Sequence, residues 1–384
     1  MTKFLDNIKN LISKTKDLQY VGIANLVTKG IASLFWLYIA TLMTVEAYGQ
    51  VSYLIAIATM TTRLSLFGSA QTIIVYTAKK VAIQPPVFLI SIILGTISSI
   101  AIYFILNEIV VSIYVISSLI FDLGIASLLG AKLYKNYAQY FIIQKIISVA
   151  LALSFYFILG PNGIILGIGI SFLFLIPVII KGFKKDKLDF SVLKSRRGFM
   201  LNSYSMNIEK IFAGQIDKIV IVPLLGFVAL GNYHLGFQFL GLLLILPGLV
   251  YTYTLPRDAS GIATRKVKMI TILISIGFAI LGITVAPIVL PIFFPQFEEV
   301  VEVIQILSIY IIPNSISTAF SSHYLGKEKS KIVIIGQSIS IAVYLLGIFT
   351  LGEIYGINGV AISFVLSGVA LMTYYIFMKK FSSQ

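Results

Sequence analysis

The chain has 384 residues, of which 58% are hydrophobic and 11% charged, and its formal net charge is +14. A water-soluble domain of this length needs far more charge on its surface, so an ordinary soluble protein is excluded. There are no cysteines, which excludes disulfides, thiolate metal sites and cysteine nucleophiles.

The apolar residues come in blocks of about 18–25, long enough to cross the hydrocarbon core as helices. Backbone groups in lipid must be satisfied internally, and the blocks lack the short alternation of a membrane β-barrel. The fold class expected is an all-α polytopic membrane protein with about twelve transmembrane helices. Residues 1–19 are basic and mildly amphipathic, with Phe4, Leu5, Ile8, Leu11 and Ile12 on one helical face. They read as a helix on the cytoplasmic membrane surface, with a solvated tail as the alternative. Twelve spans follow, near 20–43, 49–78, 86–106, 109–131, 138–159, 164–181, 199–225, 229–255, 268–293, 300–325, 331–351 and 357–378. The second, seventh and eighth are long enough to be tilted or broken, and Pro223, Pro247 and Pro313 are candidate kinks.

Charge orients this map. Lys79, Lys80, Lys132 and Lys135, the run Lys181–Arg197, then Arg257–Lys268, Lys327–Lys331 and Lys379–Lys380 all fall on one side, together with the basic N-terminus. The opposite connections hold only acids: Glu46, Glu108, Glu298, Glu299, Glu302 and Glu353. The positive-inside rule then places both termini in the cytoplasm, in a cytoplasmic (inner) membrane. The net charge is orientation plus affinity for anionic membrane lipids, and needs no nucleic acid.

The expected domains are a cytoplasmic segment 1–19, an N-lobe 20–181, a basic cytoplasmic linker 182–198, a C-lobe 199–378 and a cytoplasmic tail 379–384. Six spans on each side of the linker share one orientation, as in a parallel pseudo-two-fold repeat. Ordered echoes support duplication. Val45–Gly49 after the first span resembles Val228–Gly231 after the seventh, and Asn162-Gly163 before the sixth resembles Asn358-Gly359 before the twelfth.

Ionisable residues inside spans are costly and by default mark a polar pathway. Here they are Lys29, Arg63, Asp122, Lys145, Glu209, Lys210, Asp217 and Lys218. Arg63 stands mid-span, roughly 20 Å from either end, with Ser52, Thr59 and Thr62 on or near its face. It reads as cavity-lining, with a structural ion pair as the alternative. Lys29 lies between Asn25 and Ser33 on a polar stripe, and either lines the cavity or snorkels. Snorkelling is favoured for Lys145. Ser203, Asn207, Lys210, Gly214 and Asp217 form one continuous face of the seventh span, with Lys218 beside it. Asp122 either pairs with a lysine, the favoured reading, or titrates as a coupling carboxylate. The candidate substrate-binding set is Lys29, Arg63, Asn207, Lys210, Asp217 and Lys218. Its basic and hydroxylic character suits an anionic, hydroxyl-rich cargo. His234 and His323 lie far apart, and no metal site is expected.

Leu26-Val27-Thr28-Lys29-Gly30 and Glu46-Ala47-Tyr48-Gly49, with the long second span behind them, resemble the start of polysaccharide-transport flippases. These belong to the multidrug/oligosaccharidyl-lipid/polysaccharide exporter superfamily. Gln215–Ile221, Leu230-Gly231-Asn232-Tyr233, Leu325–Lys329 and Tyr355–Ala361 resemble later signatures of the same family, in order along the chain. The resemblance implies two six-helix lobes around a central cavity, alternating access, and a lipid-linked oligosaccharide as substrate. It implies that basic residues meet the lipid phosphate, by position Lys29, Arg63 and Lys210. It is compatible with a monomer working beside glycan-assembly enzymes. No cofactor is expected, and the coupling could be to protons or sodium. A multidrug exporter of the same superfamily is the first alternative; its cavity would favour buried acids over the lysines and arginine found here. A membrane glycan polymerase or ligase is the second; it would need catalytic groups on a sizeable loop at a membrane face.

Overall fold

The computed structural model describes residues 2–204, 215–262 and 264–382, with no strand among them. The helices are α1 Thr2–Leu42, α2 Val45–Leu66, α3 Ser69–Ala78, α4 Gln84–Leu106, α5 Ile109–Gly130, α6 Tyr134–Leu159, α7 Pro161–Phe172 and α8 Ile176–Lys185. They continue as α9 Phe190–Lys194, α10 Ile216–Leu243, α11 Ile245–Ala259, α12 Arg265–Phe293, α13 Val300–Ile309, α14 Ile311–Gly326 and α15 Ser330–Ser382. Residues 197–204 are also helical. Segment 1–19 runs into the first span without a helix break.

Among the described residues nine helices are long and apolar enough to cross a membrane, or ten with the bent pair α2–α3 counted as one. Two of them run on across a break from one span into the next. α15 is broken at Gly356 (φ 58°, ψ −138°), and α10 at Gly226 (φ 84°, ψ 178°). The part of α10 after Gly226 continues through α11 as the eighth span. With these breaks the chain is a multi-pass all-α protein of about twelve membrane helices.

Two expected kinks fall where proline chemistry requires. A proline ring clashes with the carbonyl four residues earlier and has no N–H to donate to it. For Pro247 and Pro313 those positions are Leu243 and Ile309, the last residues of α10 and α13. Pro223 differs: it is carried inside α10, and the non-helical residue is Gly226. The second span is bent by 50° at Phe67-Gly68, both at positive φ. A Cβ on Gly68 would stand 2.3 Å from the Met200 carbonyl oxygen, so only glycine admits segment 197–204 this close.

The chain forms two compact units: residues 1–32 with 54–215, and 33–53 with 216–384. The boundary therefore passes through α1 and α2. In unit 1, Ile73, Val87, Phe88, Leu119 and Leu123 pack with Leu193 and Met200. The basic linker is tied to this unit. Asp189 caps α9 by accepting from the Ser191 N–H at 2.8 Å. The Arg196 guanidinium donates to the Val192 carbonyl at 2.8 Å and lies 5.1 Å from the Tyr76 ring centroid.

In unit 2, Leu230, Tyr233, Val303, Leu307, Ile311, Ile348 and Val360 form the core. Residues 33–53 are held to it by the Gln296 amide, which donates to the carbonyls of Ala40 (3.0 Å) and Met43 (2.5 Å). Trp36, Tyr48, His234 and Phe297 pack together in the same unit: Trp36–His234 (5.2 Å) and Tyr48–Phe297 (5.6 Å) meet edge-on, and Tyr48–His234 (5.2 Å) is tilted.

The duplication read from sequence is physical. Asn162 donates to Glu108 at 3.4 Å in unit 1, and Asn358 donates to Glu302 in unit 2. A Cβ on Gly163 would meet the Phe155 carbonyl at 2.1 Å, and one on Gly359 the Leu351 carbonyl at 1.8 Å. In both units the tight turn starts at a positive-φ glycine, Gly160 or Gly356. At the basic ends each unit has matching positive-φ residues after a helix: Lys80 and Lys132 in unit 1, Gly261 and Glu328 in unit 2.

Candidate functional site

Arg63 lies in the last turn of α2, immediately before the bend. The sequence placed it mid-span in a helix long enough to be tilted or broken; the structure puts the break just after it, so Arg63 stands at a helix C-terminus inside the span. Carbonyls unpaired at that break carry partial negative charge and favour a cation there. α2 is fixed against α5 by a buried Thr62–Ser118 hydroxyl pair at 2.7 Å, with Thr62 also donating to the Ala58 carbonyl at 2.8 Å. Arg63 is the next residue after Thr62, and Asp122 and Tyr114 lie one turn to either side of Ser118, so that register brings Arg63 into electrostatic reach of both. The Tyr114 hydroxyl is 3.4 Å from Thr59 Oγ1.

This corrects one expectation: the charged neighbour of Asp122 is Arg63, not a lysine. The two do not touch. Among the described residues, the ion pair with N···O within 4.0 Å is Lys268–Asp258. The Arg63 side chain is left exposed, and a guanidinium at such depth is expensive unless the space it enters is polar.

Lys29 is exposed as well, in unit 1. The exposed large apolar residues of α1 within unit 1, Tyr20, Ile23 and Val27, form one stripe. Lys29 is roughly 150° around the helix from that stripe. Asn25, four residues away, donates to the Val21 carbonyl and accepts from Tyr137 at 3.5 Å. Lys145 is half-buried beside Gln144, which donates to Ser171 at 2.8 Å.

Asp217 points into the core of unit 2. It is 6% exposed, accepts from the Tyr344 hydroxyl at 3.4 Å, and its Oδ1 is buried without a hydrogen bond. Tyr344 in turn is 2.5 Å from the Tyr233 hydroxyl. Lys218 adjoins this cluster and feels the Asp217 charge. Asn207 and Lys210, with Glu209 and the middle of the polar face on the seventh span, lie outside the described residues.

Sequence reasoning missed the tyrosines. Tyr114, Tyr233 and Tyr344 are spaced along apolar helices like core residues, and no local signal marks them as partners of Asp122 or Asp217. It also missed Asp258, a network centre at the basic end of unit 2. Asp258 accepts from Lys268, from Thr264 at 2.5 Å and from Ser322 at 2.6 Å, and Ser322 Oγ is 3.1 Å from Thr254 Oγ1. Burial pushes the Asp258 carboxyl up, but these hydrogen bonds and the Lys268 charge together hold it below the usual carboxylate range.

No family model and no curated protein matches the chain. Solved structures do. An inward-facing multidrug resistance MATE family transporter of the MOP superfamily matches with a TM-score of 0.70 at 14% identity, covering 93% of this chain and 94% of that one. The lipid II flippase MurJ in an inward closed conformation matches with a TM-score of 0.72 at 16% identity, covering 93% and 87%. The eukaryotic MATE transporter AtDTX14 matches with a TM-score of 0.55 at 14% identity, covering 96% and 95%. At such identities the likeness is one of architecture: this chain has the fold found in MATE transporters and in the MurJ flippase.

Proposed function

We propose that the chain is a flippase that moves a lipid-linked oligosaccharide, or a polysaccharide repeat unit, across the cytoplasmic membrane by alternating access. The observation that carries this reading is Arg63, an exposed guanidinium at a helix break inside the membrane, beside Thr59, Tyr114 and a non-contacting Asp122. A guanidinium presents a planar fork that matches phosphate oxygens, while hydroxyl groups suit sugars. Lys29 on the non-lipid side of its helix, and Lys210 with Asn207 on the seventh span, complete the proposed phosphate and sugar contacts. MurJ, which shares this fold, is by name a flippase of a lipid.

Asp217 and Lys218 have a different part in this proposal. A buried carboxylate with one unbonded oxygen is suited to a proton or sodium ion, so Asp217 is the proposed coupling group, with Lys218 as its electrostatic neighbour. The protein acts as a monomer beside glycan-assembly enzymes, with both termini cytoplasmic, and performs no chemistry on its cargo.

The second reading is a multidrug exporter. The MATE likeness, the buried acid Asp217 and the half-buried Asp122 favour it. Reconstitution in vesicles separates the two. A flippase makes a fluorescent lipid-linked oligosaccharide accessible in the opposite leaflet and leaves a cationic dye in place. Dye efflux without lipid translocation overturns the flippase reading. Within it, Lys210→Arg is expected to retain more translocation than Lys210→Ala.

A further inference from the structure

At the basic end of unit 2 a cavity of about 480 Å³ opens between the end of α11, the first turns of α12, and the ends of α14 and α15. We propose that it is a binding site for an anionic phospholipid. The proposal does not rest on the transport reading.

The cavity is lined by two kinds of side chain. Arg265, Lys268, Lys327 and Lys379 are its cations, and Asp258 is the acid among the lining residues. That acid is already engaged by Lys268, Thr264 and Ser322. Arg265 and Lys327 are exposed at the rim, and the Lys379 ammonium lies 5.7 Å from the Phe320 ring centroid. The like charges repel one another unless an anion sits among them. The apolar lining includes Met269, Ile272, Ile316 and Phe320. A soluble anion would leave these side chains wet, and a neutral lipid would give Arg265 and Lys327 no counter-charge. A phosphodiester joined to an acyl chain satisfies both.

Depth agrees with this occupant. α12 starts at Arg265 and within its first three turns exposes Met269, Ile270, Leu273 and Ile274, residues suited to lipid. Its first turn therefore lies at headgroup level, where basic side chains attract anionic lipid.

The duplication supplies an internal control. The equivalent cavity of unit 1, between α3, α4, α5 and α8, is also about 480 Å³. It is lined by Lys80, Lys132, Lys185, Asp186, Thr77 and Gln84, with the Gln84 amide donating to Thr77 at 3.2 Å. It offers cations but no long apolar wall, so it lacks the acyl half of the site.

The test is lipid binding to the purified full-length protein in detergent, read by native mass spectrometry. Phosphatidylglycerol is expected to bind at least tenfold more tightly than phosphatidylcholine. Arg265→Gln with Lys327→Gln should weaken phosphatidylglycerol by roughly tenfold or more, while Lys80→Gln with Lys132→Gln removes the same charge elsewhere and leaves it nearly unchanged. Met269→Gln keeps every charge at an exposed position and should weaken it several-fold. Glycerol phosphate, which has the headgroup chemistry without acyl chains, should not compete at equal concentration. Equal binding of the two lipids, equal loss in the two charge variants, full binding by Met269→Gln, or displacement by glycerol phosphate overturns the proposal. Should the Arg265/Lys327 variant fail to fold, Met269→Gln and the competition still decide it.

Discussion

Gly49 and Gly231 make room for one another: the Phe227 carbonyl fills the space beside Gly49, and the Val45 carbonyl fills the space beside Gly231. Each carbonyl comes from the residue four positions before the opposite glycine, so the two contacts are equivalents in a duplicated sequence. Helices in lipid gain little from apolar burial against each other, and association rests on close backbone approach between small residues. This crossing joins segment 33–53 to α10 inside unit 2.

A side chain at either glycine has no space. A Cβ on Gly49 would lie 2.0 Å from the Phe227 oxygen and one on Gly231 2.2 Å from the Val45 oxygen, both backbone atoms. Gly49→Val and Gly231→Val are each expected to cost about 2 kcal/mol or more. A lowered melting midpoint in detergent checks this; unchanged midpoints in both would mean that the crossing is looser than described.

Arg63→Ala should abolish translocation while leaving insertion and expression intact, because the exposed side chain supports none of the α2–α5 packing. Arg63→Lys keeps the charge without the bidentate fork and should retain part of the activity. Complementation by Arg63→Ala at the level of the unaltered protein would remove Arg63 from the pathway.

Asp217→Asn keeps the shape and an acceptor for Tyr344 while removing the charge. Translocation driven by a proton or sodium gradient is expected to fall by roughly tenfold or more, as for other functional intramembrane acids. Gradient response that persists in a well-folded Asp217→Asn protein would place coupling elsewhere, with Asp122 the next carboxylate to vary.

Asp258 makes stability sensitive to acid. Its folded pKa is held below the unfolded value of about 3.9, so the stabilisation is fully present above that value and is lost as pH falls through the folded pKa. Thermal midpoints of the unaltered protein and Asp258→Asn should therefore differ at neutral pH and converge on acidification below about pH 4. A constant difference across that range would assign the effect to packing rather than charge.

Span number and duplication were legible in the sequence because each follows from local chemistry. Apolar run length sets the spans, and repeated Asn-Gly pairs mark turns that need glycine. The Asn162–Glu108 and Asn358–Glu302 bonds could have been suspected, since both glutamates head the spans that these turns approach. The candidate site was legible in part. Arg63, Lys29 and Asp217 stand out as charges in apolar helices, whereas Tyr114 and Tyr344 resemble core residues.

Only the tertiary structure decided which charge meets which. The bend at Gly68 exists because the Met200 backbone passes where a side chain would stand, and it converts Arg63 from a mid-helix residue to one at a helix end. The α2–α5 register gives Asp122 an arginine neighbour instead of a lysine. The long-range pairing of Asp258 with Ser322, and of Asp217 with Tyr344, depends on helices far apart in sequence. The sequence determined what lies within the membrane, since transfer from water to hydrocarbon acts on each segment alone. It did not determine the partners, because contacts between helices depend on register, and register is set by a few close backbone crossings that no single segment encodes.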